Sequence, residues 1–316
     1  RVVHGGEFFR QAVLIDDSVE ARIQSLFTLA PLHNPPNLLG IQAMRRRFPG
    51  VLQVAVFDTA FHQSMPEQAF RYAIPETFYL QHGVRRYGAH GTSHRFVAEA
   101  TAAALGRPLE ELQLITAHLG NGCSGCAIRS GLSVETTMGL TPLEGMMMGT
   151  RSGDVDPALH QFLALNAGLS LTAITDLLTK QSGLLGVSGT TNDRRVLEAA
   201  MQRGDARARL ALELFCYRAA KCLLALTAAL DRVDALTFTG GIGENSAFIR
   251  RRIVEQMPLL GIELVEEANS ANGARTGGQI SRTDGKACLV IPTNEELAIA
   301  RETVRMMPSP VGASGN

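Results

Sequence analysis

The chain lacks net charge: across 316 residues, 30 Lys+Arg balance 30 Asp+Glu. That balance gives no support to a nucleic-acid or membrane-surface role, each of which needs a basic excess. It still leaves room for the local basic cluster that a phosphate site requires. Cysteine is scarce and odd in number, with five at positions 123, 126, 216, 222 and 288. So few in so long a chain do not suit a disulfide scaffold, and reduced thiols in a cytosolic protein are the better reading. Cys123 and Cys126 form a C-x-x-C, but no second ligand pair stands at zinc spacing, so a metal or redox role is the weaker reading. No apolar run approaches the ~20 residues of a membrane helix. The longest, Cys222 to Leu230, is far too short. There is no short-period repeat, no low-complexity tract and no compositional linker. An initial Met is also absent. The chain opens at Arg1 and runs at once into an ordered pattern, so the absence of a signal peptide carries no weight.

What is present suggests roughly two domains by length, with ordinary cores from about 45% apolar residues. Several segments share one plan: a short apolar β-rich run, a Gly-rich or polar turn, then a helical pattern. Val51–Phe57 leads to Asp58, and Leu112–Ala117 leads to His118-Leu-Gly-Asn-Gly122. Ala235–Thr239 leads to Gly240-Gly-Ile-Gly-Glu-Asn245, and Ala287–Ile291 leads to Pro292-Thr-Asn-Glu-Glu296. Strands alternating with helices predict an α/β architecture. Arg207–Val233 has no Gly or Pro and is apolar all round, which predicts a long buried helix. Thr293 and Glu296 have capping-box spacing, so Thr293 is the expected N-cap of the last helix. The Pro/Gly/Ser-rich tail, 308–316, reads as disordered.

The Gly-rich turns at 118–124 and 239–246 are candidates for phosphate cradles, because backbone N–H groups there can face an anion closely. Neither fits G-x-G-x-x-G or the Walker pattern, so the turns alone leave nucleotide binding and plain turn-making equally open. Five polar clusters stand out besides. They are Arg1-Val-Val-His-Gly-Gly6, the Pro-rich stretch around His33, Asp58 at a strand end, Arg85–His94 with two Arg and two His, and Arg151 between glycines. Taken singly, each also reads as a capped turn or a satisfied core histidine.

Taken together, the strings resemble the acetate and propionate kinase family. The resemblance is carried by R-V-V-H-G-G, P-L-H-N-P-P-N, V-F-D-T-A-F-H-Q, R-R-Y-G-A-H-G-T-S-H, H-L-G-N-G, M-G-T-R-S-G-D-V-D-P, F-T-G-G-I-G-E-N and I-P-T-N-E-E-L. They stand in family order from residue 1 to about 303. The resemblance implies an actin-like ATPase fold, with two domains that each carry a mixed sheet flanked by helices. Nucleotide is expected in the cleft between them. The first domain would comprise 1–57 and 296–316, with its N-terminal part missing, and the second 58–295. The family's opening strand with Asn-x-Gly-Ser-Ser has no counterpart here, so omission or cleavage of that segment is expected rather than a naturally short protein.

The implied reaction is transfer of phosphate between ATP and acetate, giving acetyl phosphate and ADP, in a cytoplasmic homodimer with no nucleic-acid or membrane partner. Mg2+ is the implied metal, with Mn2+ able to substitute. Arg1 and Arg151 would hold the acid's carboxylate and the moving phosphoryl, since a guanidinium fork matches both. His90 would donate to the equatorial oxygens, supported by His33. Asp58 would orient the acid or hold Mg2+ through water, and Glu295 would be the second metal-side carboxylate. Asn121, Gly122, Gly241, Ile242 and Asn245 would line the nucleotide, and Asp193 and Arg195 would contact the adenosine. Arg194 stands where relatives often have an apolar residue, so adenine stacking is expected to differ. Val3, Leu32, Ala89 and Pro142 would form the acid's alkyl pocket. Ala89 replaces a Phe of some relatives, which makes propionate a second candidate. Two other classes compete: a nucleotide-driven, chaperone-like ATPase, and an incomplete fragment that only binds nucleotide.

Overall fold

The computed structural model describes residues 1–307; the tail expected to be disordered lies outside them. Seven strands are present among the described residues: β1 Val13–Leu14, β2 Val54–Ala55, β3 Gln113–Leu119, β4 Cys123–Arg129, β5 Leu132–Thr136, β6 Ala235–Thr239 and β7 Ala287–Val290. The last five form one mixed sheet in the order β5-β4-β3-β6-β7. β3, β6 and β7 run parallel, and β4 and β5 are antiparallel additions. β1 and β2 make a separate antiparallel pair, extended by a parallel bridge between Val2 and Phe57.

Period-2 alternation decides what each face of the sheet meets. On β3, Ile115, Ala117 and Leu119 join a core built with the helix Ala206–Ala225. Leu114 faces the other way, into a core shared with Val97, Ala98 and Ala102 of the helix Gly91–Leu105. Thr116 and His118 share that second face by the same alternation. A third core takes its buried side chains, Val2, Phe9, Ile23, Leu26, Leu38, Ala55 and Phe57, from the first 57 residues, with Ala60 packed against it. The helix Glu295–Met306 lies along Gly91–Leu105, where Arg95 meets Glu302 at 3.3 Å and Arg301 covers the Phe96 ring.

The expected strand at 235–239 is observed as read. Three local expectations are corrected. The helix expected over 207–233 ends at Ala225 and passes into a 3-10 turn, Leu226–Ala229. It is buried on one face only: Leu210 and Tyr217 are 56% and 57% exposed. The extended run expected over 51–57 pairs only at Val54–Ala55 and again at Phe57. The last helix is capped by Asn294, whose side chain accepts from Leu297 N at 2.9 Å. Thr293 does not cap it: the helix begins at Glu295, one residue later than a Thr293 cap requires, and the Thr293 hydroxyl oxygen accepts instead from Ser93 Oγ at 2.8 Å.

The C-terminal ends of the parallel strands carry the polar turns. His118 is in register with Thr239, and Phe238 with Val290. The turn at 120–122, the short helix Gly240–Asn245 (read from sequence as a Gly-rich turn) and the segment 292–294 therefore gather at one edge, where open α/β sheets hold ligands.

Candidate active site

The site begins with Asp58. It is buried, its Oδ1 accepts from Thr92 Oγ1 at 3.0 Å, and its Oδ2 meets Arg1 Nη1 at 3.1 Å. Burial pushes its carboxyl up to about 6; Arg1 opposes the shift and the charge of Glu295 adds to it. Gly91 sits hard against this residue. Its N–H donates to Asp58 O at 2.8 Å, and a Cβ there would lie 2.3 Å from the same oxygen. Only glycine lets the helix Gly91–Leu105 start so close.

His90 precedes that helix in the left-handed region, at φ 57°. Its ring stacks on His118 at 4.2 Å. Burial, then the neighbouring His118, holds His90 well below the usual imidazole range, which favours the neutral ring. Across from it lies the hairpin tip between β3 and β4. A Cβ on Gly122 would lie 3.4 Å from His90 Nε2 and 3.3 Å from Arg151 Nη1. Gly122 thus leaves a small space where a neutral imidazole and a guanidinium converge. Arg151 is fixed from behind: it donates to Pro142 O at 3.1 Å, and its own carbonyl accepts from Met148 N at 3.0 Å.

The other predicted acid-side residues are less enclosed. Ala89 flanks His90, and its carbonyl accepts from His62 Nε2 at 3.0 Å. Val3 is half-buried, with its N–H donating to Asn37 Oδ1 at 3.1 Å. Leu32 is 75% exposed and does not close a pocket here. His33 is exposed at the head of the helix Asn34–Arg47; partial desolvation, with the positive Arg151 and Arg1, holds it below its usual range.

Six of the seven residues expected on the nucleotide side gather round one cavity of about 700 Å³, which Gly122 does not line. Asn121, Asp193, Arg195, Gly241, Ile242 and Asn245 line it, joined by Gly120, Asn192 and Arg194. Asn192 ties to Asn121 at 2.9 Å, and Asp193 holds Arg195 at 2.7 Å. Arg194, noted from sequence only as a departure at the adenine position, reaches across the mouth to Asn245 O at 3.2 Å.

For a metal ion, the fit rests on Glu295. Its Oε1 is buried without a hydrogen-bond partner among the described residues, and its charge reaches Asp58. No group of three or more His, Cys, Asp or Glu side chains is poised to hold an ion among these residues. A sparse set of two carboxylates suits Mg2+, which keeps several waters.

Sequence reasoning did not find His118, Ser124 or Arg250. His118 heads a Gly-rich turn, and His90 and His94 have i,i+4 spacing, which were the available signals. Arg250 gave none, because its contacts lie up to 22 residues away.

A mixed sheet with polar segments at the ends of its parallel strands, bordered by Arg151, a neutral His90 and a nucleotide-sized cavity, belongs to the actin-like ATPase class. Comparison with known proteins narrows this. The chain matches the acetokinase family over residues 1–301. It is 58% identical over 303 residues to an acetate kinase of Deinococcus radiodurans, covering 96% of this chain and 76% of that one. An acetate kinase of Methanosarcina acetivorans is 54% identical, covering 96% and 74%. Among solved structures, a propionate kinase from Francisella tularensis is 46% identical with a TM-score of 0.92, covering 97% of this chain and 78% of that one. The Porphyromonas gingivalis acetate kinase is 44% identical, also at 0.92, covering 97% and 77%. The chain is a member of the acetokinase family.

Proposed function

We propose that the protein is an acetate kinase that moves the γ-phosphoryl of ATP to acetate in line, reversibly. The observation that carries this reading is the convergence of His90, Arg151 and Gly122 beside the nucleotide cavity. In the forward step a carboxylate oxygen bonds to γ-phosphorus as the bond to the ADP oxygen breaks. Arg1 and Arg151 hold the carboxylate and the equatorial oxygens, and His90 donates to the latter. Such a site acts by positioning and charge, as phosphoryl transfer requires. Asn121, Gly122, Gly241, Ile242 and Asn245 seat the phosphates and nucleoside, and Asp193 with Arg195 borders the adenosine. Val3, Ala89 and Pro142 border the acid's alkyl end, with His33 beside them and Leu32 left exposed at its edge. Asp58 and Glu295 would hold Mg2+ through water, and the ion would supply positive charge to the phosphates. The working division is a first domain, 1–57 with 296–316, and a second, 58–295.

We read the protein as a cytoplasmic homodimer. The helix Leu159–Ala167 buries none of its residues and exposes Phe162 and Leu165 at 61% and 76%, which supports a pairing surface on the second domain. No single helix among the described residues is long and apolar enough to cross a membrane.

The test is acyl phosphate formation from ATP with acetate, propionate and butyrate. Acetate is expected to give the highest kcat/KM. Propionate is the second reading, favoured by the small Ala89 and the Francisella neighbour. A single methylene changes the preference by only ~1–3 kcal/mol, so cross-reaction is expected. ATP hydrolysis without acid dependence, or ATP binding without turnover, would overturn the proposal.

A further inference from the structure

The imidazole of His90 is held from behind. Its Nδ1 lies 2.8 Å from Ser124 Oγ. The same oxygen lies 2.8 Å from His94 Nε2, and His94 Nδ1 lies 2.7 Å from Thr116 Oγ1. Ser124, His94 and Thr116 are each fully buried. The placement follows from two periodicities. Thr116 and Ser124 point from β3 and β4 to the same face of the sheet, and His94 lies one helical turn from His90 on the helix covering that face.

A serine hydroxyl has one hydrogen and can give it to only one of the two rings. Two arrangements of neutral rings place that hydrogen between the rings. In the first, Ser124 donates to His90 Nδ1 and accepts from His94 Nε2–H, while Thr116 donates to His94 Nδ1. The proton of His90 then sits on Nε2. In the second, every bond reverses, and His90 Nε2 carries only a lone pair. Nε2 is the edge that faces Gly122 and Arg151. A phosphoryl oxygen there is an acceptor and needs a donor, so only the first arrangement serves it.

We propose that Ser124, backed by His94 and Thr116, is a positioning residue that fixes His90 as the Nε2–H tautomer, ready to donate to the moving phosphoryl group. This rests on the reading of His90 as that donor. The stacked His118 is set the opposite way. The Ser93 hydroxyl donates to Thr293 Oγ1, so its oxygen accepts from His118 Nδ1–H at 2.8 Å. Of the stacked pair, His90 alone then presents an N–H on its Nε2 edge. A neutral ring that serves by donation depends on its tautomer for its whole effect, and the wrong tautomer silences it without moving a heavy atom.

The deciding experiment reads tautomers directly. The full chain, labelled with 15N-histidine, is examined by NMR with Mg-ADP and inorganic phosphate bound, and the His90 signals are assigned from their loss in His90→Gln. His90 is expected to carry its proton on Nε2 and His118 on Nδ1. A protonated Nδ1 on His90 overturns the inference without touching the proposed reaction. Kinetics give a second reading. Ser124→Ala is expected to lower kcat by ~10-fold or more, the scale of an outer-shell partner, and to leave KM for ATP and acetate within about twofold. Ser124→Cys, a weak donor of similar size, is expected to fall between. Unchanged kcat in Ser124→Ala overturns the inference. Unchanged kcat in His90→Gln instead sinks the role of His90 in the reaction, while the tautomer measurement still decides how the ring is set. The wild-type NMR result stands whether or not the alanine variant folds.

Discussion

Arg250 is the largest fully buried side chain in the described structure, and no carboxylate balances it among its hydrogen-bond partners. Its guanidinium donates to Gly243 O at 2.8 Å and Glu244 O at 3.0 Å, at the C-terminal end of the short helix Gly240–Asn245. It also donates to Asn269 Oδ1 at 2.8 Å, Asn269 O at 2.6 Å and Asn272 Oδ1 at 2.7 Å. All five N–H groups are thus used. The cation sits where a helix end collects negative partial charge, and burial lowers it only to about 10, so it stays charged at neutral pH. Arg250→Met keeps most of the volume but strands three carbonyls and two amide oxygens. Each buried orphan costs ~1–3 kcal/mol. Against that stands relief from a desolvated charge, so the net loss is on the order of 3 kcal/mol, the low end for one-sided loss of a buried charge cluster. At ~2–4 °C per kcal/mol for a large domain, the melting midpoint should fall by roughly 6–12 °C. The same helix carries Gly241, Ile242 and Asn245, so its loosening should raise KM for ATP by ~10-fold, equal to ~1.4 kcal/mol. KM for acetate should hold. Arg250→Lys keeps the charge but cannot span five acceptors and should lie between. Calorimetry and initial rates at varied ATP check both effects. A melting midpoint within about 2 °C of the parent, with KM for ATP unchanged, would refute the clamp.

Arg151→Ala should cut kcat by at least ~100-fold, the usual cost of one transition-state contact; near-normal turnover in the purified variant would remove Arg151 from the reaction. Gly183→Ala places a Cβ 2.2 Å from Met148 O and 2.8 Å from Arg151 O at a positive φ of 63°. The loop bearing Arg151 must then shift, so kcat should fall by ~10-fold or more, as for sub-ångström misplacement, and an unchanged rate would mean the loop yields freely. For Asp58→Asn the native carboxyl, raised from 3.8 to about 6, favours the proton. Its stabilising effect is complete below the unfolded value and lost as pH rises through about 6. At pH 8 the ionised group costs on the order of 3 kcal/mol, from ~2 units at 1.4 kcal/mol each. The Asn variant should therefore melt higher than the parent at pH 8, by a margin that shrinks towards pH 4. A constant difference across that range would contradict the buried-carboxylate account.

What the sequence made legible follows from the reach of each signal. Ala235–Thr239 was readable because a β-rich run and a glycine turn are both local. Six of the seven nucleotide-side residues read from motifs line one cavity, because each motif places its own turn at the same edge of the sheet. Thr293 misled for the opposite reason. Its spacing to Glu296 is a sound local cap, but the helix begins one residue later, at Glu295, and the Thr293 hydroxyl meets Ser93, 200 residues away in sequence. Leu210 and Tyr217 made the long helix look apolar all round, and composition alone does not tell a core face from an exposed one.

The hardest part to read was the hydrogen bonding behind His90, and the reason is physical. Ser124 was visible only as a residue after a Gly-rich turn. Its role depends on β3 and β4 pairing with His118 opposite Ser124, and on the helix Gly91–Leu105 presenting His94 at the same depth. A one-residue slip of that register would point Ser124 to the opposite face of the sheet, away from both histidines. The glycines at 91 and 122 then acquire a shared purpose. One lets the helix start against Asp58, and the other leaves open the space that His90 Nε2 and Arg151 border. Direction is thus supplied from the sheet and room from the glycines, and neither is encoded near His90 in the chain.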